Sequence, residues 1–122
     1  MGFTVEWEGN NPLLILEGDI IFDDLYYLDG KIYGDSRFDL TQYICYNMLE
    51  VNSLNVTKND IAAISALDKS ASRWNAKIKL AIVVQDEHIR REALLYIDFM
   101  KDSSWETKVF SALNEALDWC RK

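Results

Sequence analysis

At 122 residues the chain is the length of one domain, spanning 1–122, and a core of that size buries roughly two thirds of the unfolded surface. Hydrophobic residues make up 49% and aromatic ones 12%, while a single proline and five glycines leave no room for a disordered linker. The formal net charge of −7, with Lys and Arg scattered as singles or pairs such as Arg90 and Arg91, argues against a nucleic-acid partner, because phosphate binding takes clustered cations.

Phe3, Val5 and Trp7 alternate with Thr4, Glu6 and Glu8, the period-two pattern of a half-buried strand. GNNP reads as a four-residue turn and LLILEGDI as the second arm of a hairpin. Phe22, Leu25, Tyr26, Asp29 and Tyr33 then fall near helical spacing, Asp23 and Asp24 suit the positive end of that helix, and Gly34 is its predicted stop. YICYNML is apolar nearly throughout, as a strand covered on both faces should be. Thr57 and Asp60 have capping-box spacing, and Ile61, Ile64, Leu67, Ala71 and Trp74 form the predicted inward stripe of the helix that follows. IKLAIVV is the most strand-like run; Asp86 caps a third helix with Ile89, Ala93, Tyr96, Ile97 and Met100 inward. TKVF is a short fifth strand, and SALNEALDWCRK a closing helix with Ser111 as its expected cap and Asn114 at the box position. The order β-β-α-β-α-β-α-β-α predicts an α/β fold whose sheet is parallel after the hairpin.

MGFTVEWEGN lacks a charged-then-apolar leader, and no apolar run approaches the roughly 18 residues of a membrane span, so a cytoplasmic protein without a transmembrane segment is expected. Cys45 and Cys120 are too few and too far apart for a disulfide framework and read as buried free thiols. His88 is the only histidine, so the chain offers no zinc set and no base for a nucleophile, and we expect no enzyme. Asp23 with Asp24, and Asp86 with Glu87, stand at helix starts where capping explains them without a metal; no glycine pattern cradles a phosphate, and no cofactor is expected. Aromatic residues are the remaining surplus. Tyr26 and Tyr27 diverge by about 100° on a helix, so one of them faces out. Tyr26, Tyr33, Ile64, Trp74 and Tyr96 are the candidate lining of an apolar pocket or interface.

YGDSRFD, YICYNMLEVNSLNVTKNDI, LDKSAS, KLAIVV and SSWETKVFSALNEALDW together resemble the SpoIIAA-like group of the STAS superfamily, the sulfate-transporter and anti-sigma-factor-antagonist domains. The resemblance implies a βα superhelix, a mixed, mostly parallel five-stranded sheet with four helices mainly on one side. It also implies regulation by phosphorylation of a serine or threonine just before the second helix. Ser53 and Thr57 are the nearest hydroxyls here, in a stretch that lacks the aspartate and glycine of the D-S-S-G-like turn. The fold is similar to that of the lipid-carrying Sec14 domain, an analogy of fold only. The expected function is a regulatory or protein-interaction domain that meets a protein partner through the turn Val51 to Asn59 and its following helix. The alternative is a carrier of a small apolar or lipid-like ligand, with peripheral membrane association; a homodimer through exposed tyrosines is a further expectation.

Overall fold

The N-terminal alternation builds β1 (Gly2–Glu8), which pairs antiparallel with β2 (Asn11–Ile21) in a register that sets Val5 against Leu14 and Glu8 against Asn11. In the computed structural model, which describes residues 2–122, the loop between them is Gly9 and Asn10 alone, shorter than the expected GNNP turn. Gly9 has φ +64°, the left-handed conformation that tight hairpin loops assign to glycine. Asn11 and Pro12 therefore belong to the strand. The missing N–H of Pro12 leaves no gap against β3, which β2 meets only from Leu13 onward. Gly18, at φ +79°, sits where the β2–β3 register slips, a bulge that turns the strand.

Helix and strand then alternate: α1 (Phe22–Tyr33), β3 (Tyr43–Asn55), α2 (Lys58–Trp74), β4 (Lys79–Val83), α3 (Glu87–Met100), β5 (Glu106–Phe110) and α4 (Leu113–Cys120). Between α1 and β3 the structure adds a 3₁₀ turn at Ser36–Leu40, started by Asp35, whose carboxylate accepts from the Arg37 N–H at 2.9 Å. The strands lie in the order β1-β2-β3-β4-β5, with every pair after the hairpin parallel. The fold is thus the expected mixed five-stranded α/β sheet, with IKLAIVV in its interior. α1, α2 and α3 cover one face, over Leu14, Leu16, Ile44, Leu80 and Ile82; α4 covers Tyr43, Cys45, Ala81 and Val83 on the other.

Two further boundaries and one helix face differ from expectation. β3 continues to Asn55, so most of the expected turn is strand; it pairs with β4 only over Tyr43–Asn47 and with β2 alone beyond that. α4 starts at Leu113, with Ala112 in the cap position and no side-chain cap; Ser111 instead offers its carbonyl to the Gln85 amide at 3.0 Å. The inward row of α2 runs through Ile61, Ile64, Ser65, Asp68, Ala71 and Ser72, and Trp74 has rotated off it. Trp74 is 60% exposed, its ring set edge-on to the buried Phe38 at 5.3 Å.

Candidate functional site

Two carboxyl groups stand on the inward rows of helices. Asp29 shares a face of α1 with Phe22 and Leu25, and Asp68 shares a face of α2 with Ile61 and Ile64; each keeps only 2% of its surface exposed. Packing α1 against α2 brings the two carboxyls within hydrogen-bond reach of each other. The hydroxyls of Tyr33 and Tyr96 donate to Oδ1 and Oδ2 of Asp68, both at 2.5 Å. The Tyr46 hydroxyl, from β3, donates to Asp29 Oδ1 at 3.1 Å. Asp29 Oδ2 meets no N–H or hydroxyl donor among the described residues.

Two like charges in contact and away from water do not both ionise. Burial first, and the Asp68 charge second, hold the Asp29 carboxyl well above the ordinary carboxylate range. Burial also raises Asp68, but hydrogen bonds from Asp29, Tyr33 and Tyr96 pull it back. The proton therefore resides on Asp29, which donates to Asp68, and Asp68 carries one negative charge held by three hydroxyl donors. Burial and then the neighbouring carboxylates push the phenols of Tyr33, Tyr46 and Tyr96 upward, so they stay protonated and keep donating.

Beside this acid pair lies a cavity of about 80 Å³, bounded by α1, α2, α3 and the sheet. Its walls are apolar, with Leu54, Ile61, Ile64, Ile82, Ile89 and Ala93 prominent. Asp29, Asp68, Tyr46 and Tyr96 supply its polar floor, and the half-buried Asp60 and Glu92 mark its rim. No basic side chain is among the described residues that line it. It sits toward the carboxyl ends of the parallel strands, where open α/β sheets bind ligands. By the space one water needs, it has room for about six water-sized groups.

Of the residues singled out from sequence, Ile64 and Tyr96 line the cavity, and Tyr33 reaches Asp68. Tyr26 is 60% exposed and stacked on Phe22, and like Trp74 it lies away from the cavity. Ser53 is on β3, not in a turn, and its hydroxyl donates to Asp19 Oδ1 at 2.8 Å. Thr57 is the N-cap of α2: its Oγ1 accepts from the Asp60 N–H at 3.0 Å while the Asp60 carboxylate accepts from the Thr57 N–H at 2.9 Å. His88 is exposed, with Nε2 3.7 Å from Glu92. Asp29, Asp68 and Tyr46 are the site residues that sequence reasoning passed over. Their signal was a carboxylate inside an apolar helical row, which patterning by hydrophobicity treats as an interruption.

A larger and shallower depression, about 600 Å³, lies at the opposite ends of the strands and gathers Lys77, Lys79, Arg121 and Lys122, cations that are dispersed along the sequence. Lys79 Nζ donates to the Trp119 carbonyl at 3.1 Å and Arg121 forks onto Glu8, so two of the four are committed within the fold.

No protein-family model and no curated protein matches the chain. Solved structures do. The chain superposes on the anti-sigma factor antagonist SpoIIAA in its unphosphorylated form with a TM-score of 0.67 at 12% identity, covering 98% of both chains. It superposes on an uncharacterized protein of the DUF3478 family with a SpoIIAA-like fold, from Shewanella loihica PV-4, with a TM-score of 0.57 at 15% identity, covering 98% of this chain and 92% of that one. The fold is SpoIIAA-like over almost the whole chain.

Proposed function

We propose that the chain is a non-enzymatic regulatory module that works by binding another protein through the end of β3 and the outward face of α2. Its likeness in fold to an anti-sigma factor antagonist supports a regulatory role. The observation that carries the reading is the surface of α2. Its outward row, Asn59, Ala63, Ala66 and Ser70, is exposed and uncharged as far as Arg73, in a chain with 20 acidic and 13 basic residues. The row shares with interface centres the absence of charge, while its small side chains would serve close approach and the anchors would have to come from the partner. Beside it, β3 runs from Glu50 to Asn55 paired with β2 alone, so that strand also presents an edge.

Ser53 and Thr57 remain the phosphoacceptor candidates for switching such contact. A phosphate on Thr57 would gain from the helix N-terminus but sit beside the Asp60 carboxylate of the capping box, and one on Ser53 would face the Asp19 carboxylate. Tyr26 and Tyr27, both exposed on α1, are the candidate seam of a homodimer. No described helix is long and apolar enough to cross a membrane, which fits a working place in the cytoplasm.

The test is affinity capture from the source cell with the wild type and with Ala66→Arg, an exposed substitution. A partner held by the wild type and lost by the variant, at equal thermal stability, supports the reading; identical retained sets would overturn it. The cavity favours a second reading, a binder of a small apolar ligand between the helices and the sheet, because a concave, partly open space with apolar walls and a few convergent polar groups is the usual form of a ligand site.

A further inference from the structure

The apolar cavity beside Asp29 and Asp68 has a charge pattern that selects among ligands of one shape. Among the described residues four carboxyl groups line it, Asp29 and Asp68 at the floor and Asp60 and Glu92 at the rim, and no lysine, arginine or histidine does. The Asp29 side chain is buried, and its Oδ2 is left without an N–H or hydroxyl donor among the described residues. We propose that the cavity takes small aliphatic amines and turns away carboxylates and phosphates of equal length, with Asp29 Oδ2 as acceptor for the ammonium group. The proposal rests on the reading of the cavity as a ligand site.

The groups that face Asp29 are all acids or phenols. Asp68 meets it from α2 and Tyr46 from β3, while Tyr33 of α1 and Tyr96 of α3 hold the oxygens of Asp68. A bound anion would meet the Asp68 charge at the floor and the carboxylates of the rim, of which Glu92 alone has a neighbouring imidazole, that of the exposed His88, outside the cavity lining. A bound ammonium supplies what the floor lacks. In the empty cavity Asp29 satisfies its second oxygen only by holding a proton. When R–NH₃⁺ enters, it donates to Oδ2, Asp29 passes from COOH to COO⁻, and one proton leaves for solvent. Two carboxylates and one ammonium then carry the same single negative charge as the empty site, so the exchange adds no net charge to the interior. The volume sets the length: about six heavy atoms, which is a five-carbon amine or the end of a longer one.

The test is an NMR shift titration of the whole chain with pentylamine, pentanol and pentanoate. Pentylamine should bind about tenfold or more tightly than pentanol, the worth of one charge-assisted hydrogen bond, and pentanoate should not bind. Because one proton is released, amine affinity should rise with pH, by up to about tenfold per unit, for as long as Asp29 is protonated in the empty cavity. Asp29→Asn should bring the amine down to the level of pentanol and flatten the pH dependence, and Ala93→Phe, which fills the cavity, should abolish binding of both. Equal or tighter binding of pentanol or pentanoate overturns the amine preference and leaves the ligand site standing. An amine preference that survives in Asp29→Asn, or is independent of pH in the wild type, overturns the assignment to Asp29. Failure of all three compounds to bind the wild type overturns the ligand site itself, and this proposal with it.

Discussion

Asparagine in place of Asp29 would keep both of that side chain's hydrogen bonds, since its amide donates toward Asp68 where the carboxyl proton did and its carbonyl accepts from Tyr46. What it removes is the titration. A carboxyl raised in the folded state holds a proton that the unfolded chain has released, so the native protein loses stability as pH rises from the unfolded value near 3.9 toward the folded one. The slope for one such group is about 1.4 kcal/mol per pH unit. Thermal melts of Asp29→Asn should therefore match the wild type near pH 4, fall less steeply above it, and lie higher at neutral and alkaline pH. Asp68→Asn has the opposite sign. Three donors converge on Asp68, and an amide offers them a single acceptor oxygen, so the variant should lose about 1–3 kcal/mol for a donor left unsatisfied. If both variants were equally destabilised at pH 8, the proton would not reside where we place it.

Between β2 and β3 the register sets Asp19 directly against Ser53, and their 2.8 Å hydrogen bond joins the two strands where β4 no longer supports them. Ser53→Asp would replace that bond with two facing carboxylates, at a cost of about 1 kcal/mol. Thr57→Asp keeps an acceptor at the N-cap of α2 and adds a charge that suits the helix dipole, so its stability should stay within about 0.5 kcal/mol of wild type. Denaturant unfolding of the two variants separates a hydroxyl that holds strands together from one that tolerates a charge. The same elements show what was legible in advance. IKLAIVV, the capping box at Thr57 and Asp60, and the stripe from Ile89 to Met100 declare themselves because burial and backbone satisfaction act locally on residue type. The overrun of β3 was not legible, because Glu50, Asn52 and Asn55 look like turn residues until pairing with β2 alone leaves their side chains in solvent. Asp29 and Asp68 were hidden for a different reason: each is tolerable inside only because the other, and tyrosines from three further places in the chain, arrive in the fold.

The two faces of the sheet are covered unequally, and this divides the molecule into parts of different firmness. α1, α2 and α3 enclose the acid pair and the cavity, whereas α4, only eight residues long, is the one described helix on the second face. It is tied down at its end by Arg121, which forks onto Glu8 of β1, while the Tyr43 hydroxyl donates to the same carboxylate. Under α4 lie Cys45 and, on its own inner side, Cys120; burial pushes their thiols up to about 12 and about 11, so in the closed state neither forms the reactive thiolate. A helix this short, held at its end by one partly exposed ion pair and by the Lys79 bond to the Trp119 carbonyl, should open locally without unfolding the remainder. Arg121→Ala should therefore speed labelling of Cys45 and Cys120 by a thiol reagent a few-fold and by the same factor, because one opening exposes both. The Tyr46, Tyr33 and Tyr96 signals around the acid pair should not move in the same variant, since they belong to the other face. Labelling that rose at Cys120 alone would mean that the helix frays at its tip and that the second face is held by the apolar contacts of Ala116 and Leu117.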